Sequence, residues 1–389
     1  MKNKFKPLSV YLHIPFCRKK CNYCDFLSAP ADDETIRAYA DALSVEIAAK
    51  GEEIGEGYFV KTIFIGGGTP NILPAHSIGG LLDNIRSSFN VDASAEITME
   101  MNPGIYDFGD NGKGRDELAL LKAKGINRLS IGLQTNLDDK LKTLGRIHDH
   151  KAFETMYAQA EKAGFENINI DMISSLPGQT FEEFKEDLKR TVSFGSKHIS
   201  AYSLIIEEET AFGRMKRDEL DLPDEEEEYR IYCYTREFLE QNGYKRYEIS
   251  NYAREGYECR HNITYWKSGE YLGLGLGSSG LLNEIRYTVT EDLKAYIANP
   301  VNNYRECTDL TEKDRMEEYM FLGLRMTEGI SLKHFEECFG ISAWEIYEKP
   351  LNTYISEGFL EKEGDRLRLT EAGLDVSNEI LSHFLLDIV

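Results

Sequence analysis

The sequence is short of cysteine and of positive charge, and it has no long apolar run. Seven cysteines in 389 residues are too few for the disulfide framework of a secreted scaffold. Their odd number also leaves at least one thiol unpaired unless chains are linked. No apolar stretch approaches the roughly 18 residues that span a bilayer. The opening run Met1 to Pro7 is basic, but no hydrophobic segment follows it, so it does not read as a secretory signal. The expectation is a reducing cytoplasm, where thiolates stay available to a metal. Lysine and arginine number 45 against 67 aspartates and glutamates, for a net charge of −22. That excess argues against nucleic acid as the main partner and gives no support to association with a membrane surface. No internal repeat or low-complexity tract is evident.

What is present is a large apolar complement, 41% of the residues, in a chain long enough for two or three domains. Short β-branched or apolar runs alternate with amphipathic stretches through the first two hundred residues. Strands are expected at Leu8–His13, Lys61–Ile65, Glu96–Met101, Arg128–Ile131, Asn167–Met172 and His198–Ser203. Helices are expected at Asp33–Lys50, Pro74–Phe89, Asp116–Lys124, Lys151–Ala163 and Phe181–Phe194, the last with Thr180 and Glu183 as a capping box. Six strands separated by helices predict an α/β fold, a parallel sheet curled into a partial (β/α)6 TIM-like barrel, with chemistry at the C-terminal strand ends. Asp107–Gly114 reads as a surface loop, and Asp224–Glu228 as an acidic, solvated opening to a helix over Tyr229–Asn242. From about residue 311, helices over Glu312–Met326, Ser331–Phe339 and Ala343–Glu357 precede a hairpin around Gly364-Asp365. This predicts a smaller α+β unit, winged-helix-like, whose acidity favours a packing or protein-contact role over DNA. The expected division is 1–215 for the barrel, 216–310 for a post-barrel region and 311–389 for the C-terminal unit.

The densest chemistry lies in Tyr11-Leu-His-Ile-Pro-Phe-Cys17-Arg-Lys-Lys-Cys21-Asn-Tyr-Cys24. Three cysteines at C-x3-C-x2-C can place three thiolates on one centre. Zinc usually takes four N/S ligands, for which His13 would have to be recruited. Ligand softness and spacing favour an iron–sulfur cluster. A 4Fe–4S cluster held by three thiolates keeps one iron open to a small molecule, and the spacing resembles the signature of radical S-adenosylmethionine (SAM) enzymes. Gly66-Gly67-Gly68-Thr69-Pro70 follows the second strand. Its glycines let backbone approach a ligand, without the spacing of a dinucleotide or phosphate cradle. By itself it is as readily a tight turn; beside the cysteines it becomes a candidate for the amino group of SAM. Glu100, Gln134 and Asp171 end the third, fourth and fifth strands, where they could bond ribose hydroxyls or an amino group. Arg146 could make a charge-assisted bond to a carboxylate.

A last cluster comprises Tyr247-Glu-Ile-Ser-Asn-Tyr, Cys259-Arg-His261-Asn-Ile-Thr-Tyr265-Trp266 and Gly273-Leu-Gly-Leu-Gly277. His261 could ligate a metal, and Tyr265 and Trp266 could line a pocket for a flat ring. Composition alone favours a structural histidine and two core aromatics.

With these motifs, together with Gly132-Leu-Gln134 and Leu176-Pro-Gly-Gln179-Thr, the chain resembles the radical SAM family of oxygen-independent coproporphyrinogen III oxidases, from about Tyr11 to at least Gly280. The C-terminal unit matches in kind. The resemblance implies that Cys17, Cys21 and Cys24 ligate the cluster, and that Tyr11, Tyr23, Gly67, Gly68, Thr69, Glu100, Gln134, Arg146 and Asp171 contact SAM. Two features point to the HemW-like branch, proposed to deliver haem. Phe26 stands where the oxidases carry a further cysteine, and His261-Asn-x-x-Tyr265-Trp266 is that branch's motif. The implied function is a haem chaperone, with haem or porphyrin as cargo, haem-accepting proteins as partners and room for a homodimer. His261, Tyr265 and Trp266 are then the haem candidates. Ser278-Ser279-Gly280 replaces an Ala-His-Gly common in relatives, which removes one histidine. The alternatives are the decarboxylating oxidase itself and a zinc-stabilised structural protein. Whether SAM is cleaved is left open.

Overall fold

The computed structural model describes residues 5–109, 112–216 and 219–386. Part of the loop expected over Asp107–Gly114, and the first four residues of the basic N-terminal run, lie outside them. Six strands form the centre: β1 (Lys6–Ile14), β2 (Tyr58–Gly67), β3 (Asn90–Met101), β4 (Arg128–Gln134), β5 (Asn167–Ser174) and β6 (His198–Ser203). They pair in sequence order, all parallel. The connections carry helices α1 (Asp33–Ile54), α2 (Ala75–Ser88), α3 (Gly114–Ala123), α4 (Asp138–Thr143), α5 (His150–Lys162) and α6 (Phe181–Ser193). Strands buried on both faces are expected to read as apolar runs, and alternation here sorts two kinds of residue. Val10, Leu12 and Ile14 of β1 pack in the main hydrophobic core. Ser9 lies on the other face, hydrogen-bonded to Thr62 and Thr264.

The strands run longer than their apolar cores suggested, because register shifts at Leu8/Ser9 and Val60/Thr62 interrupt the alternation. The capping box at α6 is present, with Thr180 and Glu183 bonded reciprocally. Asp32 and Asp149 cap α1 and α5. The short α4 was not anticipated.

After β6 the chain forms α7 (Glu225–Gln241), opened by Asp224 as N-cap with four glutamates in its first turn. Next come β7 (Lys245–Arg246), β8 (Asn251–Ala253), α8 (Arg260–Trp266), β9 (Tyr271–Leu274), β10 (Ser279–Leu282), β11 (Ile285–Val289), α9 (Leu293–Ala298) and β12 (Tyr304–Asp309). These strands join the barrel sheet. β9 pairs parallel with β1, while β10–β12 continue antiparallel beyond it, and β8 and β7 extend the edge at β6. The main core therefore includes Leu272, Leu274, Tyr287 and Tyr296.

The last part has its own core around Met320, Phe335, Tyr347, Leu351, Leu367 and Phe384. It is built from α10 (Glu312–Gly323), β13 (Ile330–Ser331), α11 (Leu332–Phe339), α12 (Ala343–Ser356), β14 (Leu360–Glu363), β15 (Arg366–Leu369), α13 (Glu371–Asp375) and α14 (Ser377–Ser382). Its antiparallel sheet runs β13-β15-β14. The helices followed by the β14–β15 hairpin give the expected winged-helix-like unit. Among the described residues, no helix is long and apolar enough to cross a membrane.

Candidate functional site

Cys17, Cys21 and Cys24 lie on the loop that leaves the C-terminal end of β1. A bridge between Phe16 and Ala29 closes the loop at its base, and the Cys17 N–H donates to the Ala29 carbonyl at 3.2 Å. Asn22 tethers the middle. Its N–H donates to Leu144 O at 2.9 Å, its carbonyl accepts from the Phe212 N–H at 2.8 Å, and its Nδ2 donates to Thr143 O at 2.9 Å. All three thiols are free and partly exposed. Among the described residues, no three His, Cys, Asp or Glu side chains are arranged to hold a single metal ion. A four-iron cluster makes no such demand, since each thiolate takes a different iron.

The thiols line a cavity of about 440 Å³ at the mouth of the barrel. Tyr23, Gly67, Gly68, Thr69, Glu100, Gln134, Arg146 and Asp171 share it, so strand exits far apart in sequence converge there. Gly67 sits at φ +112°, and a Cβ on it would come 2.6 Å from the His13 ring. A Cβ on Gly68 would meet Phe16 O at 2.7 Å. The turn is glycine because it packs directly against the cysteine loop. Gln134 adopts φ +69° at a register shift between β4 and β5, a costly conformation for a residue with a Cβ.

The floor of the cavity is acidic. The Glu100 carboxylate accepts from the Gly67 N–H at 3.0 Å. Burial, reinforced by the charge of Asp171, pushes it up to about 8. Asp171 is also raised by burial, although Asn169 donates to it at 2.7 Å and Ser130 at 3.0 Å. Two carboxylates held this way favour a cationic ligand group. The Arg146 Nε is buried without a hydrogen-bond partner. Thiols, acidic floor and unpaired guanidinium nitrogen match a cluster with SAM, which carries a sulfonium, an ammonium and a carboxylate.

Asn102 was missed from sequence. Its Oδ1 accepts from Arg146 Nη2 at 2.7 Å, and its Nδ2 donates to Thr69 Oγ1 at 3.5 Å. Thr69 Oγ1 lies 3.3 Å from Cys17 Sγ, and Arg146 Nη1 lies 3.7 Å from Cys21 Sγ. One amide thus links the groups that touch two of the thiols. Its place two residues after Glu100 was the available signal.

Tyr11 does not line the cavity. Its hydroxyl lies 2.9 Å from His13 Nδ1, and His13 Nε2 lies 2.9 Å from Leu27 O, so the pair braces the far end of the cysteine loop. His261, Tyr265 and Trp266 also lie away from the mouth, on α8, which fills the opposite end of the barrel. The Glu96 carboxylate accepts from the Arg260 and His261 N–H groups at 3.1 and 3.0 Å. His261 is 1% exposed. Its Nδ1 lies 2.8 Å from Thr62 Oγ1 and its Nε2 2.7 Å from the Tyr265 hydroxyl, so both ring nitrogens are engaged. Burial, with the nearby Arg128 charge, lowers its pKa to about 3. Trp266 lies under the Arg325 guanidinium at 4.7 Å, between the barrel and the C-terminal unit. Ser278 is buried and donates to Gly275 O at 2.7 Å.

A model of the Radical SAM superfamily matches residues 11–191, and a model of the HemN C-terminal domain matches residues 310–376. Curated relatives span the chain. Heme chaperone HemW of Lactococcus lactis is 38% identical over 384 residues, covering 98% of each chain. That of Bacillus subtilis is 36% identical, covering 97% of this chain and 99% of the relative. That of Escherichia coli is 34% identical, covering 98% and 99%. Among solved structures, coproporphyrinogen III oxidase (HemN) from Escherichia coli, a radical SAM enzyme, superposes with a TM-score of 0.84 at 24% identity, covering 99% of this chain and 91% of that one. That likeness establishes the shared fold.

Proposed function

Because the chain belongs to the HemW heme chaperone family of radical SAM proteins, we propose that it binds haem and hands it to haem-dependent proteins, with a 4Fe–4S cluster and SAM at the barrel mouth. The observation that carries the cofactor part is the convergence of three free thiols, the glycine turn and the strand-exit residues on one cavity. Cys17, Cys21 and Cys24 would hold the cluster, which would supply single-electron reduction to SAM. The Gly67-Gly68 turn and Thr69 let the ligand approach the backbone. Arg146 takes its carboxylate, Glu100 and Asp171 its cationic and hydroxyl groups, and Gln134 and Tyr23 border it. Tyr11 acts through His13 on the loop. In this reading residues 1–215 carry the cofactors, 216–310 close the far end of the barrel, and 311–389 form an accessory unit.

The oxidase reading is disfavoured by Phe26, which leaves no cysteine two residues after Cys24, and by the HemW names of the full-length relatives. The test is anaerobic reconstitution, iron and sulfide analysis, then haem titration with gel filtration and transfer to a haem-free acceptor. Stoichiometric haem that leaves for the acceptor supports the chaperone. No retained haem, with turnover of coproporphyrinogen III, would establish the oxidase instead.

A further inference from the structure

His261 is sealed within the barrel, and iron could reach its nitrogens only after α8 came away from Thr62 and Glu96 and the His261–Tyr265 contact within α8 opened. The barrel mouth presents the opposite situation. Phe26 and Ile205 are among the most exposed large apolar side chains described, at 63% and 69%, and both line the cavity. Neither is exposed by default. Leu27, beside Phe26, packs inward against the main core. Leu204 and Ile206, on either side of Ile205, pack inward on a small core of their own. The backbone therefore turns Phe26 and Ile205 outward on two banks of one opening, the first on the cysteine loop and the second just beyond β6. Lys19 and Lys20 line the same opening and are exposed. Among the described residues neither makes an ion pair, and they follow Arg18 in a chain with a net charge of −22. Asp25 and Glu207 also border it.

We propose that haem sits on the barrel mouth, with its apolar face against Phe26 and Ile205 and its propionates toward Lys19 and Lys20. This rests on the haem-carrying reading above. A planar apolar ring covers both side chains at once, and its two carboxylates match the two unpaired ammonium groups. Phe26 therefore makes the bank on the cysteine loop apolar. Among the described residues, no histidine lines the cavity. A seat that grips by ring face and propionate, without a histidine bond to iron, suits a cargo that must be released.

The test is a ferric haem titration of the cluster-loaded full chain, read at the Soret band. It compares wild type with Phe26→Ser/Ile205→Ser, Lys19→Glu/Lys20→Glu and His261→Asn, at matched iron and sulfide content. Exposed apolar groups of this size, once covered, are worth about tenfold each in affinity. The expected result is at least about tenfold weaker binding in the apolar pair, and weaker, less salt-dependent binding in the lysine pair. His261→Asn should bind as wild type. A second measurement needs no variant: bound haem should slow extraction of cluster iron by a chelator. Unchanged affinity in both mouth pairs, loss of haem only in His261→Asn, or no protection of cluster iron would overturn this seat. Absence of haem binding by the wild type would instead overturn the chaperone reading.

Discussion

Replacing His261 with asparagine should cost stability at neutral pH and cost little at pH 5. The histidine is buried, neutral and bonded at both nitrogens, and its folded pKa is lowered to about 3 against about 6.5 in an unfolded chain. A depressed folded value means that the unfolded chain takes up a proton the native state refuses. The stability His261 contributes is therefore complete above pH 6.5 and is lost as pH falls from there toward 3. The loss runs at about 1.4 kcal/mol per pH unit, or about 2 kcal/mol at pH 5. At pH 7.5 asparagine forfeits buried hydrogen bonds and leaves a polar group poorly paired, a penalty of about 1–3 kcal/mol. Asparagine takes no proton, so at pH 5 this penalty should shrink by about 2 kcal/mol. The assay is urea unfolding of both full-length apo-proteins, followed by circular dichroism at pH 7.5, 6.5 and 5.0. Other shifted groups, His148 and His198 lowered and Glu100 and Asp171 raised, are common to both proteins and cancel in the difference. A penalty that is the same at all three pH values would refute a neutral, sealed imidazole.

Alanine at Cys17, Cys21 or Cys24 should each abolish cluster retention, because two thiolates hold the cluster poorly; undiminished iron and sulfide in any one of the three would contradict the ligand assignment. Asn102→Ala should shift the cluster's midpoint to more negative potential, because Arg146 and Thr69 lose the amide that aims them at two sulfurs. A redox titration followed by electron paramagnetic resonance reads this, and an unchanged midpoint would make Asn102 a bystander. Leu351→Ala, in the fully buried centre of the C-terminal core, should destabilise that unit by about 2–5 kcal/mol. The test is proteolytic cleavage after residue 310 at increasing urea, with a wild-type profile as the refuting result.

Much of the barrel could be read because its strands carry local apolar runs flanked by helices, as at Ile63–Ile65 of β2. The cluster ligands were plainer still, since all three fall within eight residues of one loop. What could not be read depends on pairing across long stretches of chain. Nothing in Tyr271–Leu274 indicates that it lies beside β1, and nothing near Arg260 reveals the carboxylate of Glu96 beneath it. The His261 motif carried a functional association, but whether its nitrogens face solvent or Thr62 is decided by tertiary packing. Composition favours a structural histidine there, and both of its ring nitrogens have partners inside the barrel.

The interior of the barrel also bears on how this sequence can drift. Arg128 is fully buried near Glu96, Cys259, Tyr247 and Asp171, and Glu96 in turn anchors the start of α8. Removing the guanidinium alone would leave the nearby buried carboxylates without it in a medium that will not hydrate them, so a single step at Arg128 is closed while a compensated one remains open. Lineages of this fold should therefore exchange Val10, Leu12 and Ile14 one at a time among aliphatic residues. Glu96, Arg128 and the first turn of α8 should change together or not at all.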